Sequence, residues 1–466
     1  MNKESKLSEF VAHPNRSLWK LALPMTIGLF VNSIYILVDT YFIGNIPDIG
    51  TNAISALGYV MPFYFIIMGV TFGLSSGATT VIAQYIGKGN RHKANQTAHN
   101  SLFIAATMTI INFLFIFFFG EYVLSLQGMN DVVFNLAKQY FYVMGYGSIF
   151  MIFGIFLRAI LVGEGESILP MNALGVGTIL NIIFDPFFIY SWGLDLGIAG
   201  AAYATIASQL VVLVIFLYFF LIKKTTYIDL VFKKIKCDFS IWKKIFNIGF
   251  PGSISMLIMS VGLFFMNSIL ATAPNGDAHV AAYNLSNRIE NFITLTLISI
   301  STSQVTIIGM FYGAKRFDLI KPMVRYTTFW SMLIASIFSL IAYFFIQDIT
   351  SLFFDSNSNN VDDILAIDST ISYYKIMFLA FPFIALTMVS TRSIQAIGQA
   401  WPMTIITILR VLIIQCGLSY FFIVYLQKEN IQWAWFSIAI SCIIAGIIAY
   451  FVRLYFLRDQ YLERKI

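Results

Sequence analysis

Residues 21–44 read LALPMTIGLFVNSIYILVDTYFIG, 24 residues with one charged side chain, Asp39. A helical crossing of a bilayer needs about 20 predominantly apolar residues. A helix apolar on every face has no side to turn to water, so this segment must lie in a core or a membrane. Similar runs recur along all 466 residues, predicting spans near 18–44, 53–86, 96–119, 133–162, 168–191, 199–222, 241–273, 279–312, 322–346, 367–397, 402–426 and 433–457. Length cannot make this a soluble core: 58% of the chain is hydrophobic, 46 residues are Phe and only 11% are charged. Soluble domains carry about 25% charged residues. The fold class expected is an all-α integral membrane protein of twelve transmembrane helices. The apolar run after the polar stretch 1–16 is too long for a signal-peptide core, and no small-residue cleavage pattern follows it, so the first helix is expected to stay as an anchor.

The net charge of +6 is an orientation signal rather than a nucleic-acid footprint. Lys3, Lys6, Arg16 and Lys20 precede the first span. Lys88, Arg91 and Lys93 follow the second, Lys223, Lys224, Lys233, Lys234, Lys236, Lys243 and Lys244 surround the sixth-to-seventh loop, and Lys315, Arg316, Lys321 and Arg325 lie at the eighth-to-ninth. Arg453, Arg458, Arg464 and Lys465 end the chain. The alternate loops carry Asp48, Glu121, Asp131, Asp195, Asp277 and then Asp348, Asp355, Asp362, Asp363 and Asp368. Cytoplasmic loops are enriched in Lys and Arg, so both termini of this multi-pass protein are expected in the cytoplasm. With no organelle-targeting segment evident in the sequence, a bacterial cytoplasmic membrane is the expected home. The fourth-to-fifth loop is the weak member, because Glu164 and Glu166 accompany Arg158.

The second half repeats the first. Pro24 and Pro251 stand at an offset of 227, and Gly87 in VIAQYIGKGNRHK and Gly313 in IIGMFYGAKRFD at 226. Arg158 in RAILVGEGESILPM and Arg392 in TRSIQAIGQAWPM stand at 234, and Pro170 and Pro402 at 232. This organises the chain as a six-helix lobe over 1–222, a cytoplasmic linker over 223–240 and a second six-helix lobe over 241–466. Six is even, so the lobes share one orientation and are expected to be related by a pseudo-twofold axis along the membrane normal. Secondary transporters use parallel repeats of this kind, with the substrate site at their interface.

Ionisable residues inside spans are costly and mark function. The clearest are Asp39 in the first span, Asp185 in the fifth and Glu290 in the eighth. Asn181 precedes Asp185 by one helical turn and shares its face. Pro186 and, in the first span, Pro24 weaken local backbone hydrogen bonding, which makes Pro24 a candidate conformational residue. Two nearby carboxylates can share a proton. With amide and hydroxyl oxygens they could also hold a hard cation, namely sodium at Asp39, Asn181 and Asp185. Structural, interface-solvated carboxylates are the alternative. Glu290, with Arg288 two residues earlier, is a candidate substrate or second proton site, and pairing of Glu290 with a charge on another helix is the alternative. Arg410 in the eleventh span reads as a snorkelling or packing residue. Glycine-rich stretches such as TFGLSSGATT, 71–80, allow close helix approach. Cys237 falls in a basic loop, and Cys416 and Cys442 fall inside spans, without metal-ligand spacing. No Walker A pattern, HExxH or potassium-filter sequence is present, so an ATP-driven pump, a metalloenzyme and a potassium channel are disfavoured.

The first-span stretch 21–44, SALG at 55–58, RAILVGEGESILPM at 158–171, LNIIFDPFFI at 180–189 and GIAGAAYATIAS at 197–208 resemble the multidrug and toxic compound extrusion (MATE) family over about 15–455. The resemblance implies two six-helix lobes around a central cleft. It implies proton- or sodium-coupled antiport of small organic, often cationic, compounds by alternating access, in a protein that is not an enzyme, needs no cofactor besides the coupling ion and functions as a monomer. It assigns Asp39, Asn181 and Asp185 to the cation site and matches Thr205 to its hydroxyl from the sixth span. One branch of the family has acids in the seventh and tenth spans. This chain has neither, and so looks closer to the DinF- and MepA-like branches. Rival readings are a lipid-linked precursor flippase, for which fourteen helices are common, and a membrane-embedded lipid enzyme, which would need a clustered acid–base or metal set.

Overall fold

The computed structural model describes residues 5–230, 237–351, 361–427 and 430–464, with side chains at 361–363 and 464 excepted. Among these residues every regular element is helical. After a short α1 (Leu7–Ala12) come α2 (Pro14–Gly44), α3 (Gly50–Gly87), α4 (Arg91–Ser125), α5 (Asp131–Gly163), α6 (Ile168–Ile189) and α7 (Gly197–Lys223). The second series is α8 (Phe239–Ala271), α9 (Gly276–Gly313), α10 (Phe317–Ser351), α11 (Val361–Met377), α12 (Phe381–Ala396), α13 (Trp401–Tyr425), α14 (Gln432–Phe456) and α15 (Asp459–Arg464). Among the described residues eleven helices are long and apolar enough to cross a membrane, and twelve crossings result if α11 and α12 form one broken span. The orientation charges Lys3, Lys233, Lys234, Lys236, Asp355 and Lys465 lie outside the described residues, as do the side chains of Asp362, Asp363 and Arg464.

The tenth span is the correction. A continuous helix over 367–397 was expected, but the chain breaks between Met377 and Phe381 and bends by 59°. Pro382 has no N–H, so the carbonyl of Phe378 loses its helical donor. The Ser339 hydroxyl of α10 donates to that carbonyl at 3.3 Å. A broken helix survives in a membrane when a neighbouring side chain satisfies the freed group in this way. Elsewhere the expected spans are present and mostly longer. Asn90 caps α4, its Oδ1 accepting from the Lys93 amide at 3.0 Å, so that helix starts in the basic loop instead of at the apolar boundary. A π-helical stretch over Leu409–Cys416 widens α13 around Arg410.

The chain forms two compact units, one of residues up to Ala12 with Lys20–Ser253, the other of His13–Trp19 with Ile254 onward. The first has a core of Ile43, Leu57, Tyr140, Phe141 and Ile189. The second is centred on Leu270, Tyr373, Trp435 and Ala439. Large apolar side chains also face outward: Phe117 is 70% exposed and Phe344 73%. Such residues would aggregate a soluble protein, whereas lipid tails accept them. The repeat is visible element by element. Pro24 and Pro251 lie within α2 and α8, Gly87 and Gly313 end α3 and α9, and Arg158 and Arg392 lie in α5 and α12.

The polar amino-terminal stretch contains α1, which the sequence reading missed because six residues carry too little periodicity. Phe10 is buried, and Lys6 Nζ bonds the Gly165 carbonyl at 2.9 Å and Glu166 Oε2 at 2.8 Å. Gly165 has φ +85°, and a Cβ there would meet the Phe10 ring at 2.7 Å. Glu164 Oε2 accepts from the Ile228 amide at 2.9 Å. The acids that weakened the charge pattern of the fourth-to-fifth loop are thus held by the basic tail and the linker. Burial raises the Glu166 pKa. The Lys6 hydrogen bond and charge, with the Ile168 and Leu169 amides, outweigh it and leave the carboxyl below its ordinary 4.5. A depressed folded pKa gives stability that is present above the unfolded value and lost as pH falls through the folded one. Lys6→Ala should therefore speed amide exchange over residues 7–12 at pH 7. The difference from wild type should be modest, within about 1 kcal/mol for this partly exposed pair, and should shrink below about pH 4.

Candidate functional site

Three helices of the first unit carry the candidate acids and their neighbours. Asp39 lies five residues before the end of α2 and is 7% exposed; Asp185 lies on α6 and is fully buried. Asn181, one turn before Asp185, donates its Nδ2 to Asp185 Oδ1 at 3.2 Å and reaches Thr205 Oγ1 on α7 at 3.4 Å. The structure thus brings Asn181, Asp185 and Thr205 into one buried polar cluster. Thr205 stands on α7 because the GIAGAAYATIAS segment begins that helix with small residues, and α6 and α7 pack along their length.

The cluster is short of donors. Asp39 Oδ1, Asn181 Oδ1 and Asp185 Oδ2 are buried without a hydrogen-bond partner. An unpartnered buried acceptor is costly, and a buried unpaired carboxylate more so. A proton on either carboxylate, or a hard cation held by such oxygens, would relieve the cost. Carboxylate, amide and hydroxyl oxygens are the donor set that suits such a cation. A group of three or more acidic, His or Cys side chains able to hold a metal is absent among the described residues. Selectivity would therefore rest on two acids and neutral oxygens.

A cavity of about 230 Å³ opens beside Asp39, and all of its lining residues belong to the first unit. Asn32, Tyr35 and Asp39 line it from α2, Tyr64 and Phe72 from α3, and Tyr140, Met144 and Arg158 from α5. A neighbouring void of about 10 Å³, large enough for one water or one small ion, is lined by Asn32, Tyr35, Asn181 and Ser208. Asn32 and Tyr35 thus adjoin both spaces. The sequence reading missed them, although they sit seven and four residues before Asp39 on the same helical face. Pro24 lies inside α2, fifteen residues before Asp39. Helix spacing puts it about 22 Å lower along the axis.

In the second unit, the Tyr373 hydroxyl donates to Glu290 Oε1. Arg410 Nη1 lies 3.7 Å from Cys442 Sγ. Gln415 Nε2 donates to the Tyr283 hydroxyl at 3.3 Å. Arg288 is exposed on another face of α9 and does not join this group. Arg410, read as a snorkelling or packing residue, reaches Cys442 on α14.

Comparison with known proteins agrees with this architecture. The MatE family model matches residues 24–187 and 251–421. The chain is 26% identical to the probable multidrug resistance protein NorM of Thermotoga maritima, covering 98% of this chain and 95% of that one. It is also 26% identical to the multidrug export protein MepA of Staphylococcus aureus, over 69% and 71% of the two chains. A solved structure described as the outward-facing conformation of a multidrug resistance MATE family transporter of the MOP superfamily superposes with a TM-score of 0.89 at 26% identity, covering 97% of each chain.

Proposed function

The chain belongs to the MatE family, and on that premise we propose that it is a secondary exporter that exchanges protons or sodium ions for small organic, often cationic, compounds. The observation that carries the reading is the set of three orphaned buried oxygens on Asp39, Asn181 and Asp185, of which Asp39 lines the aromatic-lined cavity and Asn181 the small void next to it. A ligand shifts two conformations only through its differential affinity for them. Each proton or sodium ion bound at Asp39 and Asp185 cancels one of their two negative charges and so alters what the cavity will hold. Pro24 is the proposed point of yielding in α2, because a proline costs the helix one internal hydrogen bond.

Glu290 is proposed as a second protonatable group, supported by the hydrogen bond it accepts from the buried Tyr373 hydroxyl. The basic tails and loops support a cytoplasmic location for both termini, in the bacterial cytoplasmic membrane. The proposed coupling residues Asp39, Asn181, Asp185 and Thr205 all belong to one unit of one chain, which supports a functional monomer.

The test is transport by the purified protein in sealed vesicles, with rhodamine 6G as the lipophilic cation. Proton and sodium gradients are imposed separately. Uphill dye movement is expected under one gradient and not without it. Absence of movement under either gradient, for several cationic dyes, would overturn coupled multidrug export and favour a lipid-precursor flippase.

A further inference from the structure

The cavity in the first unit has a charge at each end. Asp39 lies five residues from one end of α2, and Arg158 five residues from the opposite end of α5. Along α5 the lining runs from Tyr140 to Arg158, 18 residues or about 27 Å of helix. Asp39 and Arg158 make no ion pair. The Arg158 guanidinium stacks over the Phe72 ring, its Cζ 5.4 Å from the centroid, and among the described residues it has no hydrogen-bond acceptor. Phe72 holds the plane of the guanidinium while leaving its edge donors unused.

The internal repeat supplies a control within the same chain. Arg392, the counterpart of Arg158, donates its Nη1 to Gln395 Oε1 at 2.7 Å, three residues further along α12. Three residues beyond Arg158 stands Leu161, which has nothing to offer. The second unit therefore satisfies its arginine internally, and the first presents the same group to a cavity. A cavity water could accept a hydrogen bond but would leave the charge uncompensated in a membrane-embedded site. A purely cationic solute would be repelled there.

We infer that Arg158 is an oxyanion-binding site at the end of the cavity opposite Asp39, taking the carboxylate or phosphate of an amphiphile. A guanidinium with free edge donors binds such a group through two parallel N–H···O bonds. The inference rests on the export reading and deepens it: substrates would include zwitterions and amphiphilic anions, not cations alone. The oxyanion can belong to a solute or to the headgroup of a bilayer lipid.

Rhodamine 110 and rhodamine 123 separate this site from general dye affinity, because the second is the methyl ester of the first and lacks its carboxylate. Fluorescence anisotropy with the purified full chain in neutral detergent measures binding of both without any gradient. Arg158→Met should weaken rhodamine 110 binding about tenfold or more, the loss expected for a charge-assisted pair, and change rhodamine 123 by less than about twofold. Arg158→Lys should keep most of the preference for the free acid. Arg158→Gln replaces the Met variant if that variant does not fold, with the same split required. Equal losses for both dyes, or no loss for rhodamine 110, would overturn the site. Titration of dihexanoyl phosphatidylglycerol then identifies the source. Displacement of rhodamine 110 from wild type assigns the oxyanion to a lipid headgroup, and lack of displacement assigns it to the solute. The binding split can fail while gradient-driven export of rhodamine 6G persists, or persist while export fails, so the two readings fall separately.

Discussion

Asp39→Asn is expected to reduce gradient-driven dye accumulation to the passive level, while the protein still reaches the membrane at wild-type abundance. Asparagine keeps the shape of the side chain and removes its proton-binding and cation-attracting charge. Coupling requires that the ion bind the two transport conformations with different free energies, and such couplings span about 1–3 kcal/mol, or roughly 5- to 150-fold. Without the carboxylate at position 39 that difference collapses, so a drop of about tenfold or more in the accumulation ratio should follow. Asp39 is 7% exposed and one of its oxygens has no partner, so neutralising it relieves a burial cost instead of adding one. Thermal stability should be equal or higher. That combination, stable protein with dead coupling, separates a transport role from a structural one. Wild-type accumulation by Asp39→Asn under the productive gradient would end the assignment.

How much of this could be read from the sequence depends on the distance over which each feature is encoded. Spans are local: twenty apolar residues declare themselves, and the offset of Pro24 and Pro251 is the sequence signal for grouping them into two sets. The break before Phe381 was equally local, since Pro382 cannot donate to Phe378, but it was masked by an uninterrupted apolar run. The acids were legible because charge inside a span is rare. Their neighbours Asn32 and Tyr35 were encoded by helical spacing alone and could have been found by stepping back from Asp39 by four and seven. The linker was not legible in this way. Arg91 Nη2 meets Asp229 Oδ2 at 2.7 Å, and Asn100 Oδ1 accepts from the Asp238 amide at 2.8 Å, pairs 138 residues apart in each case. A single chain carries no signal for contacts so distant in sequence. The segment read as a plain connector is therefore fastened at both described ends to the first unit.

Gly77→Val is expected to prevent assembly of the first unit. TFGLSSGATT is a stripe of small residues on α3, and its partner is the opening half of α8. A Cβ at Gly77 would lie 2.4 Å from the Ile245 carbonyl oxygen and 2.9 Å from the Gly249 nitrogen. One turn earlier, a Cβ at Gly73 would lie 2.4 Å from the Ser253 nitrogen, and a Cβ at Gly249 would meet the Leu74 Cα at 2.6 Å. These are backbone atoms, which cannot rotate away as a side chain would, so the two helices must separate. Separation also breaks the bond from the Ser253 hydroxyl to the Val70 carbonyl, 3.1 Å, across the same seam. In a bilayer, helix association relies on such close packing because lipid tails offer apolar contact just as well. Overpacking a tight core typically costs about 1–3 kcal/mol and occasionally more. Valine here carries three carbons into a seam with no room for one, so the cost should reach the upper end, about 3 kcal/mol or beyond. The variant should fail to give a monodisperse peak in detergent, or melt well below wild type. Gly175→Ala is the control, because a Cβ there meets nothing within 4 Å and should change little. A Gly77→Val protein as stable as Gly175→Ala would mean that α3 and α8 are not pressed together along this seam.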